Sequence, residues 1–282
     1  MTFTPKLALA VSSALLATAA FAQQQGPDQT AAQLEAGKGP FTVATAKVAT
    51  PSGYGGGTVY YPTNASGKVG LIVVGPGFTE SQSAMAFWGP VLASNGFAVI
   101  NIDTKSTLDQ PPSRATQLMA ALKQVGALSK VASSPYYNKI DTSREGIMGH
   151  SMGGGGTLIA ATANPSLKAA IPAAPWSLAT KNFPTLAVPT LILACQSDVI
   201  APVSGHADRF WASFNKQLPS AFAEYANGNH FCPTSSAPAG AKAAFSKLGV
   251  SWFKRFVDGD DRYTQFITSD TRLSRFLTNG TL

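Results

Sequence analysis

Charge is scarce in this chain. Only 12% of its 282 residues are Asp, Glu, Lys or Arg, and the net charge of +7 is not gathered into a basic run. Nor is there the interleaving of aromatic and basic residues that grips nucleic acid, so nucleic acid is not an expected partner. Past the N-terminus no apolar stretch approaches the ~20 residues that a membrane helix needs. Histidine is rarer still: three scattered copies and no H-E-x-x-H, so no metal site is expected. No dinucleotide or phosphate-loop pattern stands out, and no cofactor is expected. No internal repeat is apparent.

The N-terminus is the one apolar stretch. Lys6 precedes an apolar and small-residue run from Leu7 to Ala20, and Ala20-Phe21-Ala22 closes it. This is the form of a secretory signal peptide cleaved before Gln23; the rival reading is an uncleaved anchor. Residues 1–22 are therefore read as a signal peptide and 23–39 as a flexible, Gln-rich arm. Residues 40–282 are read as one domain, long enough for a sizeable core. The mature chain is expected to be secreted, extracellular or periplasmic, and monomeric. In such a compartment its two cysteines, Cys195 and Cys232, can pair. The alternative is two unpaired buried thiols.

Short apolar runs alternate with helical patterns. Leu71-Ile72-Val73-Val74 predicts a buried strand ending at Gly75-Pro76-Gly77, and Phe97 to Ile102 predicts a second. Helical patterns run from Phe87 to Leu92 and from Thr116 to Leu128. Leu167 to Ala174 and Thr190 to Ala194 predict further strands, and Phe41 to Ala49 with Thr58 to Tyr61 an antiparallel edge. The alternation argues for an α/β fold: a mostly parallel central sheet flanked by helices, with no room for a lid.

The most informative segment is Gly149-His150-Ser151-Met152-Gly153. G-x-S-x-G between a strand and a helix predicts a nucleophile elbow, with Ser151 exposed at the strand end. The bland alternative is a Gly-rich structural turn. A serine nucleophile needs a base, and His230 comes late enough in the chain for the order Ser, Asp, His. His206 lies in a helical pattern, and His150 adjoins the serine and points away from it. Asp198 follows the strand Thr190 to Ala194, where an orienting acid belongs; Asp208 reads as a solvated helix face. Cys195 and Cys232 flank the acid and the base. The amides of Met152 and Phe78 are the candidate oxyanion donors, with the Phe78 ring a wall of the site.

Several blocks together resemble bacterial cutinase-like polyester hydrolases, a group that includes poly(ethylene terephthalate) hydrolases. They are the elbow, Gly75-Pro76-Gly77-Phe78-Thr79, Trp88-Gly89-Pro90, Ala174-Pro175-Trp176 and Asp198-Val199-Ile200-Ala201-Pro202. The resemblance runs from about Phe41 to about Phe266. It implies a lidless α/β-hydrolase acting on ester bonds, with Ser151, Asp198 and His230 as triad and Phe78 and Met152 as amide donors. It also implies that Trp176 is an aromatic platform backed by His206 and Phe210, although a tryptophan there could simply be core. Ile200, His150 and Phe231 are the further expected substrate contacts, the last two narrowing the cleft. The family usually carries a cysteine pair near the C-terminus, and Phe266 to Leu282 has none.

Overall fold

The structure is a computed structural model that describes residues 24–282; the expected signal peptide lies outside the described residues. Among the described residues nine strands form one sheet: β1 Val43–Lys47, β2 Gly56–Pro62, β3 Val69–Gly75, β4 Phe97–Asp103, β5 Ile140–His150, β6 Ala169–Ala173, β7 Thr190–Cys195, β8 Ser220–Tyr225 and β9 Leu273–Asn279. Their order is β1-β2-β4-β3-β5-β6-β7-β8-β9. The six central strands from β4 to β8 run parallel, with β1, β2 and β9 antiparallel at the edges.

Alternation along each strand divides the core in two, because successive side chains point to opposite faces. Leu71 and Val73 of β3 join one layer with Leu118, Leu122, Leu158 and Phe210. Ile72 and Val74 join the other with Trp88, Leu92, Phe245 and Trp252. The helices follow: α3 Pro111–Leu128, α4 Met152–Ala163 and α5 Ala207–Ser213 cover the first face, and α2 Trp88–Ser94 and α6 Ala239–Phe256 the second. Every residue of β3 is buried, as a strand covered on both faces requires.

Residues 24–39, expected as part of a loose arm, carry local structure and long-range contacts. Thr30 caps a short helix, α1 Ala31–Glu35, in a capping box with Gln33, and Leu34 is fully buried. Lys254 donates to the Gln25 carbonyl, Arg262 pairs with Asp28, and Arg272 pairs with Glu35. These partners lie more than 200 residues away, so no local pattern announced them. The C-terminal segment without cysteines is held by β9, which pairs with β8 from Ser220↔Asn279 to Tyr225↔Leu273. No helix among the described residues is long and apolar enough to cross a membrane.

Candidate active site

The elbow sits where β5 ends and α4 begins. Ser151 has φ 53° and ψ −118°, a conformation that costs a residue with a side chain about 1–3 kcal/mol. The surroundings hold it there. Its amide donates to the Ala173 carbonyl at 2.9 Å, and its own carbonyl accepts from Gly155 and Trp176. A Cβ on Gly149 would collide with the Gly153 carbonyl, and one on Gly153 with the Pro76 carbonyl. Glycine at both places lets the elbow nest against the loop after β3. Met152 is the first residue of α4, so its amide has no partner within the helix.

Asp198 lies in the loop after β7, and its carboxylate is fully used. Oδ1 accepts from the amides of Ile200 at 2.9 Å and Ala201 at 2.7 Å, and Oδ2 lies 2.6 Å from His230 Nδ1. Burial pushes its pKa up, but the His230 hydrogen bond and the two amides outweigh that and hold it below the usual value. An ionised carboxylate only accepts, so His230 Nδ1 carries hydrogen and Nε2 of the neutral ring is a free base. Asp208 does not lie on a free face: it pairs with Arg275 at 2.8 Å.

Ser151 and His230 share a cavity of about 180 Å³ with Phe78, Thr79, Glu80, His150, Ile200 and Phe231. Phe78, Ile200 and Phe231 are exposed, an apolar rim around a polar centre. A larger, open depression of about 380 Å³ lies beside Met119, Lys123 and Glu145, but it holds no elbow, acid or base residue. Trp176 stacks on His206, ring centroids 5.8 Å apart at 25°, and His206 meets Phe210 edge-on at 6.1 Å. His206 precedes α5 rather than lying inside it. Burial pushes its pKa down, although Asp198 opposes the shift.

His150, an expected substrate contact, is among the residues that line the cavity of Ser151 and His230. Its ring is fully buried behind Phe231, and both ring nitrogens are engaged, one with Glu80 and one with the His230 carbonyl. Phe231 is the exposed residue of the pair. Burial pushes the Glu80 pKa up, but the His150 hydrogen bond and the Gly77 amide bring it below the usual range. Arg114 and Glu80 escape a reading by motif. The buried Arg114 guanidinium donates to the carbonyls of Pro76 at 2.9 Å, Thr107 at 2.8 Å and Asp109 at 2.7 Å, bracing the loop that carries Phe78. Its one signal is an arginine in the first turn of a helix that otherwise faces the core. Among the described residues no three His, Cys, Asp or Glu side chains gather as a metal site would require.

A parallel sheet with helices on both faces and a strained serine at the end of its central strand defines an α/β-hydrolase. Residues 17–279 match the PETase family, described as PET hydrolase-like, and the chain belongs to that family. A bis(hydroxyethyl) terephthalate hydrolase of Streptomyces coelicolor is 46% identical over 245 residues, covering 86% of this chain and 76% of that protein. A cutinase of Thermobifida fusca (strain YX) is 46% identical over 261 residues, 92% of this chain and 83% of its own. Cutinase 1 of Thermobifida cellulosilytica is 46% identical over 244 residues, 86% of this chain and 89% of its own.

Proposed function

We propose that the protein is an exported serine esterase that hydrolyses the ester bonds of polyesters through an acyl-enzyme. Ser151 Oγ attacks the ester carbonyl while His230 Nε2 takes its proton, and Asp198 holds the imidazole and balances its charge. The amides of Phe78 and Met152 receive the oxyanion. His230 then protonates the departing alkoxide, and a water activated by the same nitrogen frees the acid. The 2.6 Å contact of Asp198 with His230, which shares one cavity with the strained Ser151, is the observation that carries this reading. Trp176, stacked on His206, serves as a platform for the acyl or aromatic part of the substrate, and Ile200 and Phe231 supply further contacts from the cavity rim. The enzyme is read as acting as a monomer. The signal-peptide pattern of residues 1–22 supports export, with residues 40–282 as the catalytic domain.

The test is Ser151→Ala, which should lose at least ~10³-fold in kcat while still folding. Near-normal turnover would end the proposal. The small cavity favours a second reading, a short-chain carboxylesterase or general lipase using the same residues. Turnover of a short-chain nitrophenyl ester, a long-chain ester and a polyester film, side by side, separates the two.

A further inference from the structure

Glu80, His150 and His230 form a chain of hydrogen bonds that the proposed reaction does not use. His150 Nδ1 lies 2.9 Å from Glu80 Oε2, and Nε2 lies 2.9 Å from the His230 carbonyl oxygen. The His150 and Glu80 side chains are 1% and 12% exposed. Glu80 Oε2 also accepts from the Gly77 amide at 2.5 Å. Gly77 immediately precedes Phe78, the candidate oxyanion donor.

The pattern of protons is constrained. A carbonyl oxygen only accepts, so Nε2 of His150 carries hydrogen. The Gly77 amide only donates, so Oε2 accepts there. One proton therefore lies between Oε2 and Nδ1, and a carboxyl group closes all three bonds whichever atom holds it. Glutamine, of the same shape, cannot do so with a neutral ring, and it carries no charge to balance a protonated one. If its oxygen accepts from Gly77, Nδ1 must donate to that oxygen. A neutral ring then has no hydrogen on Nε2, and two lone pairs meet at the His230 carbonyl. If its nitrogen takes that place, the Gly77 amide faces another donor. The partner of one ring nitrogen sets the tautomer of the other, so the carboxyl group is what aims Nε2–H at the His230 backbone.

We propose that Glu80 is a positioning residue, acting through His150 to hold the backbone of His230 and the Gly77 amide in one register. Base and oxyanion loop then keep their spacing around Ser151. The proposal rests on the reading of Ser151 and His230 given above. A misplacement of ~1 Å at a reacting centre costs about 10²-fold in rate, so even a partial slip of this brace is measurable.

The experiment compares wild type, Glu80→Gln, His150→Gln and the double variant on a soluble short-chain nitrophenyl ester, with thermal unfolding of each. Glu80→Gln should stay folded and lose about ten-fold or more in kcat with KM changed by less than about two-fold. His150→Gln should do the same, and the double variant should be little worse than either single one, because both break one chain. A kcat of Glu80→Gln within about two-fold of wild type overturns the proposal. So does a raised KM at unchanged kcat, which would make Glu80 a substrate contact. Losses that multiply in the double variant also overturn it. If Glu80→Gln does not fold, His150→Gln decides alone, and a normal kcat there refutes the idea. Ser151→Ala is run in parallel. Retained turnover in that variant sinks the triad itself, whereas its loss beside a normal Glu80→Gln sinks only the positioning role.

Discussion

Cys195 and Cys232 are joined by a disulfide, with Cα atoms 6.1 Å apart. Cys195 ends β7 three residues before Asp198, and Cys232 stands two residues after His230. Acid loop and base loop are thus bolted together beside the hydrogen bond they exist to form. The bridge closes 37 residues, which in the chain-entropy account is worth about 4 kcal/mol.

Replacing both cysteines by alanine should lower the unfolding free energy by about 2–4 kcal/mol, read from urea titration. Turnover should fall as well, because the Asp198–His230 geometry loses its tie. Alkylation of the unreduced protein followed by mass spectrometry should find no free thiol. Two alkylated cysteines, or an unchanged urea midpoint in the double variant, would refute this.

Phe231 is 41% exposed on the cavity rim, directly after His230. Phe231→Ser should widen the groove and raise the ratio of polyester-film hydrolysis to short-chain ester hydrolysis. Its stability cost should fall below the ~3–5 kcal/mol of an aromatic deleted from a full core. An unchanged ratio in a folded variant would show that the ring does not limit access.

The docked N-terminal segment should contribute to stability. Leu34 is fully buried against the α6 side of the core, so Leu34→Ala should cost about 2–5 kcal/mol. Differential scanning calorimetry is the measurement. A melting temperature unmoved by Leu34→Ala would return residues 24–39 to the status of a loose arm.

Acid should weaken the anchor of the C-terminal segment. The Arg272 hydrogen bond holds the Asp270 carboxyl far below the usual carboxylate range against the opposing effect of burial, with help from Lys247. A depressed folded-state pKa adds stability that is complete above the unfolded value of ~3.9 and is lost as pH falls toward the folded value. Stability should therefore drop on acidification below pH ~5, and Asp270→Asn should flatten that slope while lowering stability at neutral pH. A melting temperature with the same acid slope in Asp270→Asn would count against the assignment.

Much of the site is legible along the chain because its chemistry demands scarce residues in order. Three histidines leave little choice of base, and the glycines at 149 and 153 mark a turn in which a side chain would strike backbone. The buried strands β3 and β7 announce themselves as apolar runs, because a parallel strand covered on both faces has no polar side to show. Helix α6 and strand β9 go unread. β9 is an edge strand with exposed and half-buried positions, and only its partner β8 gives it a register.

By itself the sequence determined the order of strand and elbow and of the proposed acid and base, since each is a local preference of a few residues. Only the tertiary structure decided that Gln25 and Leu34 are buried, that His150 is held between Glu80 and the His230 carbonyl, and that Arg114 grips three carbonyls of two loops. Those outcomes depend on buried polar groups finding partners, many of them tens to hundreds of residues away. Such pairing is fixed by where the sheet brings chain segments together and leaves no period or motif in the sequence.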